Sequence, residues 1–510
     1  MKKFTLAILL LILGFNVQAQ SLKLKRADKY FNHLAYKSAG EVYEKLLGSK
    51  HESSVMLYRL AMCYYNTNRM EKAAETFSKY ITTESASADE LFYFSQSLKQ
   101  SGKTVDGDEK LKALYSKANT DIRAKSLIDN LNYLESIKAK GEQYSMRNLE
   151  VNSEFSDFGG YAYQSSVLFL SSRYESLSVK REWTWDGTRF LDVFLADENN
   201  GQLVEKGMLK AICSKYHEGP ACWDGGNSLY FTRNNAGKNK YDQSGIQNLS
   251  LYFGTIDVLG GISETPMPFC SSEYSVGHPA LSNDGKTLYF ASDMPGSKGV
   301  DIYEVAIEGF GKFGKPKRLE GNVNTDGDEM FPYVAKNGTM YFSSNGHIGL
   351  GGLDVFMVDK SGNVINLGQP LNSMNDDFAF ILKADNKTGY VSSNRPGGKG
   401  DDDIYAFTYT GPVDITISGV ITDIANQAPL KEAYIVLLDE KGKQIASVKT
   451  DENGAYSIPA LSGKTYTIQV KKENYGLQQT TLVTSESDVQ KNFQLQENVV
   501  EFVFDVKDKK

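Results

Sequence analysis

At 510 residues the chain has room for about three domains of ~150 residues each, and its 41% hydrophobic and 23% charged residues are those of a globular protein. Its 30 tyrosines and 26 phenylalanines favour strand-rich structure. A formal net charge of −7 without any basic block argues against nucleic-acid binding.

Residues 1–19 predict export. Lys2 and Lys3 precede the apolar run Leu6 to Phe15, and Val17-Gln18-Ala19 offers a small-x-small cleavage site before Gln20. A run this short is a secretory signal and not a bilayer span. Cleavage after Ala19 removes Lys2 and Lys3 and no acid, taking the net charge from −7 to −9. No cysteine follows that site to carry a lipid, and no later apolar run approaches the ~20 residues of a transmembrane helix.

Residues 20–141 have a helical pattern that returns every 34 residues. Ala27, Tyr30, Ala39, Tyr43 and Leu46 have counterparts in Ala61, Tyr64, Ala73, Phe77 and Tyr80, then in Ser95, Leu98, Gly107, Leu111 and Leu114. Period and phase resemble tetratricopeptide repeats, an all-α solenoid with small residues where paired helices touch. The resemblance implies a concave groove for a peptide or partner protein; a helical spacer without a ligand is the alternative. Cys63 falls here as a small buried hydrophobe.

Between residues 142 and 411 one phrase keeps returning. It reads Leu229-Tyr230-Phe231-Thr232, Leu288-Tyr289-Phe290-Ala291, Met340-Tyr341-Phe342-Ser343 and Gly389-Tyr390-Val391-Ser392, with a weaker first copy at Leu168-Phe169-Leu170-Ser171. A second phrase follows it at Asp192-Val193-Phe194, Asp301-Ile302-Tyr303, Asp354-Val355-Phe356 and Asp403-Ile404-Tyr405. Short apolar runs repeating every ~50–60 residues predict a β-propeller, here of five blades. Asp284-Gly285, Asn337-Gly338 and Asp224-Gly225 mark hairpins before the second strands. Residues 144–153 resemble the last strands of other blades, while the final blade stops after its third; borrowing one for the other closes the ring and removes an exposed edge. The blades resemble the TolB and WD-repeat-like class.

From 412 to 497 the pattern changes again. Ser418-Gly419-Val420-Ile421, Pro429-Leu430-Lys431-Glu432-Ala433 and Thr450-Asp451-Glu452-Asn453-Gly454-Ala455-Tyr456 resemble the carboxypeptidase regulatory-like domain, a transthyretin-like β-sandwich. Residues 498–510 add one alternating strand and a charged tail. The expected fold class is therefore multidomain: tetratricopeptide solenoid, five-bladed propeller, β-sandwich.

Chemistry is sought and little is found. Five histidines show no zinc spacing, no Gly-x-Ser-x-Gly elbow occurs, and the Gly-Lys-Thr triplets at Gly285 and Gly463 lack the earlier glycine of a phosphate loop. Asp192, Asp301, Asp354 and Asp403 recur at one place in four blades, which fits a blade's own hydrogen bonding better than two unlike catalytic carboxylates. No catalytic residue and no cofactor is expected, and the chain is read as no enzyme. Asn322, Asn324 and Asp326 imitate the start of a calcium loop, and Asp401 and Asp402 lie in a glycine-rich turn; these are weak calcium candidates. A disulfide among Cys213, Cys222 and Cys270 is left open.

The domain order resembles the PorE-like periplasmic proteins of Bacteroidetes, associated with type IX secretion and gliding. That resemblance implies a scaffold or adaptor at the inner face of the outer membrane, with partners of the PorP/SprF outer-membrane type or other secretion components. The family's usual OmpA-like domain would begin where this chain stops, so peptidoglycan attachment is not carried over. The alternatives are a peptidoglycan- or glycan-binding sensor, or a propeller glycosidase or lyase.

Overall fold

The computed structural model describes residues 21–81, 86–140, 143–173, 182–237, 239–256 and 261–498. The expected signal peptide, the linker residue Gly141 and the terminal strand from Val499 onward lie outside the described residues. The chain divides into two compact units, residues 1–409 and 410–510.

In the first unit five sheets stand in a ring. Each inner strand packs against its neighbours around the ring: Asp157–Tyr163, Glu218–Trp223, Val276–Leu281, Glu329–Val334 and Asp377–Leu382, the last returning to the first. Every blade runs antiparallel outward from there. The recurring phrase forms the second strands, and its fourth blade copy begins at Met340. The reason for its recurrence is packing. Phe169, Phe231, Phe290, Phe342 and Val391 are at most 1% exposed and occupy equivalent positions. Each pairs across the ladder with Phe194, Tyr252, Tyr303, Phe356 or Tyr405. The aromatic pairs lie 5.6–5.9 Å apart, adding about 0.5–1.5 kcal/mol each to simple burial. The last blade takes its outer strand from Tyr144–Asn148, which pairs with Asp403–Tyr409. That strand is shorter than the 144–153 segment, because Leu149–Ser153 turns away into the first blade.

A second repeat, at the ends of the segments that resemble 144–153, fixes the blades' third strands. Asn152, Asn324 and Asn372 each use one amide to receive the backbone N–H and bond the C=O of a single residue, Ile404, Ile302 or Val355, at 2.7–2.9 Å. Cys213 and Cys270 stand in the same role toward Val193 and Leu251, their sulfurs accepting at 3.3 Å and donating at 3.6 Å. A thiol can both donate and accept, as an amide can. All four cysteines are free.

The fold-class expectation needs a correction. Strand accounts for 38% and helix for 19% of the structure, and the helical segment is not an all-α solenoid standing by itself. Consecutive helices do pack in pairs, Ser54–Asn66 with Met70–Tyr80 and Ala88–Gln100 with Thr104–Lys117. Helix Ala88–Gln100, opened by a Ser87/Glu90 capping box, has no free face over its second half. Ser95, Gln96, Ser97, Lys99 and Gln100 are all buried. Gln96 and Lys99 donate to the propeller carbonyls of Asn345 and Gly349 at 3.1 and 3.5 Å. Lys99 also pairs with Asp108 at 2.9 Å. The hydrophobic clusters of the helices take in propeller loop residues Leu350, Ile348 and Trp185. Helices and blades thus share one core, and what looked like a solenoid groove along this helix is occupied by the propeller.

The second unit is a β-sandwich. One sheet is built on Asp414–Asp423, with Ala455–Leu461 antiparallel and Val489–Gln490 and Phe493–Leu495 parallel to it. The other has the order Gln444–Lys449, Tyr434–Leu438, Thr465–Lys471, Gln478–Val483. Strand Asp414–Asp423 alternates strictly, burying Ile415, Ile417 and Ile421. A Cβ at Gly419 would lie 1.9 Å from the Lys491 carbonyl oxygen, which is why that opening motif requires glycine.

Candidate functional site

The repeated aspartates do not form a site. Asp301 receives the Arg318 guanidinium at 2.6 and 3.1 Å. Asp354 accepts from the Leu350 N–H at 2.6 Å, and Asp403 from Asn148 at 3.0 Å and from the Lys399 amide. Asp192 opens the equivalent third strand of the first blade. Asp301 and Asp403 are spent on their own blades, while the other oxygen of Asp354, Oδ1, is buried without a partner among the described residues. A parallel set of acids at the start of the inner strands is held by arginines, Asp157 by Arg173, Glu218 by Arg233 and Asp377 by Arg395. The fourth blade lacks the arginine: Glu329 accepts only from Thr325 and Ser344, and burial pushes its carboxyl up to about 7.

The calcium candidates are scattered among other tasks. Asn324 is the blade clamp described above, and Asp326 accepts from the Ile122 N–H at 2.9 Å and from Lys298 at 2.5 Å. Asn322 lies at the rim of a separate cavity of about 860 Å³ beside the last helices. Among the described residues no three His, Cys, Asp or Glu side chains converge as a metal set.

Asp401 and Asp402 do reach a cavity. Two cavities, of about 660 and 560 Å³, lie on the propeller face that the helices cover, and both are lined by Phe158, Trp183, Leu191 and His217. The larger one is bounded by Lys37, Glu41 and Asn66–Arg69 from the helices, and by Asp186, Asp376, Phe378, Asp401 and Asp402 from the blades. The smaller includes Trp185, Phe190, Tyr241 and His278. A loop of the first blade spans the gap: Trp185 donates its indole N–H to the Asn66 carbonyl at 2.6 Å, and its own carbonyl receives the Lys37 N–H at 3.0 Å.

Aromatic rings line the mouth in two stacks. Trp183 stacks on Trp185 at 5.4 Å and meets His217 at 4.9 Å, while Phe190 stacks on the other side of His217 at 5.3 Å. Across the mouth His278 stacks on Phe331 at 4.0 Å, and Phe331 meets Phe378 and Phe158. Burial pushes both histidines down to about 4, so they are neutral at pH 7. His217 Nδ1 accepts from the Leu191 N–H at 2.8 Å, which leaves the ring proton on Nε2.

The carboxylates of the mouth differ in environment. Asp376 is pinned by the Leu353 N–H at 2.8 Å and by Asn394 at 2.9 Å. Asp402 accepts from the Ser156 hydroxyl; burial, abetted by Asp376 and Asp401, pushes it up to about 7. Asp401 is raised by burial and by Asp186. Among the described residues no basic side chain pairs with Asp401 or Asp402.

Sequence reasoning passed over this mouth. Two of the three tryptophans of the chain stand two residues apart, at Trp183 and Trp185, in a stretch between two strands; that was the available signal.

Residues 416–496 match the carboxypeptidase regulatory-like domain family. No curated protein matches the chain. Solved structures similar to it include a gluconolactonase of Xanthomonas campestris, 15% identical over 52% of this chain and 89% of that one, TM-score 0.29. A thermostable family-43 glycoside hydrolase is 13% identical over 52% and 97%, TM-score 0.32. A β-fructofuranosidase of Bombyx mori is 11% identical over 73% and 96%, TM-score 0.30. The expectation of no enzyme finds no support in these comparisons, since the named structures are enzymes. At this distance the likeness assigns this chain no reaction.

No helix among the described residues is long and apolar enough to cross a membrane.

Proposed function

We propose that the protein is an exported scaffold at the periplasmic side of the outer membrane, accessory to type IX secretion or gliding, which holds a protein partner on the covered face of its propeller. The observation that carries this reading is the aromatic mouth: two adjoining cavities walled jointly by helices and blades and lined by ten ring and seven acid side chains. Burying such rings is what anchors protein interfaces, and sites at the meeting of substructures are where ligands commonly sit. A PorP/SprF-type outer-membrane protein is the partner class that the domain order suggests. The test is purification from native membranes in mild detergent. Recovery with outer-membrane proteins, lost on Trp183→Ala with folding intact, supports the reading; a free monomer from native membranes sinks it.

A second reading, a carbohydrate-cleaving propeller, draws on one observation: two carboxylates of unlike environment, Asp376 and Asp402, border the same cavity. Screening cell-wall and polysaccharide substrates decides it, with Asp402→Asn as the control that must be inactive.

A further inference from the structure

We infer that the covered mouth of the propeller takes a peptide segment through a primary ammonium group, a lysine side chain or a chain amino terminus. This deepens the partner reading and rests on it. Three features of one cavity converge. Asp401 and Asp402 offer carboxyl groups with no basic partner among the described residues, and Ser156 occupies one oxygen of Asp402. Trp183 and Phe378 supply ring faces beside them, and a cation held near ring faces and carboxylates gains from both. His217 is 9% exposed and lines both cavities. Its Nδ1 is committed to the Leu191 N–H at 2.8 Å, so Nε2 carries a proton, and Nε2 has no acceptor among the described residues. A peptide carbonyl is the acceptor that would accompany an ammonium group.

Among the described residues none of the basic side chains of the same wall, Lys37, Arg69 and Arg189, pairs with Asp401 or Asp402; the Lys37 ammonium lies beside Gly187, 2.7 Å from where a Cβ there would stand. Arg69 lies over the Tyr64 ring at 4.6 Å and reaches Glu44 at 3.5 Å. Arg189 lies over Phe155 at 4.4 Å and donates to the Arg173 carbonyl at 3.2 Å. A neutral oligosaccharide would use the rings and His217 but leave the unpaired acids without a counter-charge, so the ammonium ligand accounts for more of the wall.

The intact mature protein is titrated with four probes: an alanine pentapeptide with a central lysine and blocked ends, its Nε-acetyl form, an unblocked alanine pentapeptide, and chitopentaose. Binding of the first or third, weakened at least tenfold by acetylation or end-blocking and by Asp402→Asn or Asp401→Asn, is the expected result. The lysine and free-terminus arms tell the two ammonium sources apart. Glu440→Gln, the same charge loss in the second unit, should leave binding unchanged, and melting curves check that the mouth variants remain folded. Equal weakening by Glu440→Gln, preference for chitopentaose, or no binding of either ammonium probe overturns the inference. If the membrane partner still co-purifies in a Trp183-dependent way after such a result, the partner reading stands and only the ammonium inference falls.

Discussion

The body of the propeller and its covered face use the same residue types for opposite ends. In the body, acids, amides and thiols are consumed: Asp301 by Arg318, Asn324 by both backbone groups of Ile302, Cys270 by those of Leu251. On the face, neighbouring acids are left open. The run Asp401-Asp402-Asp403 shows the divide within three residues. Asp403 is tied to Asn148 and backbone amides, Asp402 is half-buried with one hydroxyl partner, and Asp401 is exposed at the cavity. Regularity in a repeat marks groups that serve the fold, and functional chemistry is better sought where a blade departs from its siblings. At the position of Asp402 the other blades carry Leu191, Leu249, Val300 and Leu353.

Variants of the body should therefore damage stability, and variants of the face should not. The largest effect is expected from Phe290→Ala, which empties a fully buried ring position and should cost about 3–5 kcal/mol. Two-transition denaturation would show it in residues 1–409 while leaving the sandwich transition in place.

Next comes Lys99→Met, which deprives Asp108 of its partner where helices meet blades. Removing one member of a buried pair costs about 3 kcal/mol or more, and Lys99→Met with Asp108→Leu should recover much of it. If the single variant left the propeller's melting untouched, the shared core of helices and blades would be refuted.

Glu329 offers a pH test. Its carboxyl is raised from 4.5 to about 7 in the folded protein. Its contribution to stability is therefore full below about pH 4.5 and is lost as pH rises through 7. Denaturant titrations between pH 5 and 8 should show this slope, and Glu329→Gln should reduce it, leaving the share of Asp402 and Glu218, both also raised to about 7.

Smaller still are the clamp exchanges. Cys213→Asn and Cys270→Asn should stay within ~1 kcal/mol, because asparagine makes the same two bonds in sibling blades. Cys213→Ala should cost about 1–2 kcal/mol by stranding the Val193 backbone groups. At the low end, Asp401→Asn should change stability by less than ~0.5 kcal/mol.

The recurring aromatic phrase was legible because alternating burial and hairpin turns leave a period in the residues themselves. The regulatory-like domain was legible for a related reason: Gly419 and Gly454 sit where a side chain would strike backbone, so the motif cannot drift. The helices were legible as helices, but their setting was not. A face made of Ser95, Gln96, Ser97, Lys99 and Gln100 looks solvated to any periodicity argument, yet it is buried by carbonyls some 250 residues later in the chain. The mouth failed for the same reason. Asp402 owes its environment to Ser156, far away in sequence, and Trp183 owes its role to a loop stapled onto the helices at Asn66.

The most direct test places a photo-cross-linker in living cells at Tyr241, which is 51% exposed beside the mouth, and separately at Phe310, 76% exposed on the third blade. A discrete protein adduct from Tyr241 and none from Phe310 is the expected result. No adduct from Tyr241, or the same adduct from both positions, would contradict the assignment of the covered face as the partner site.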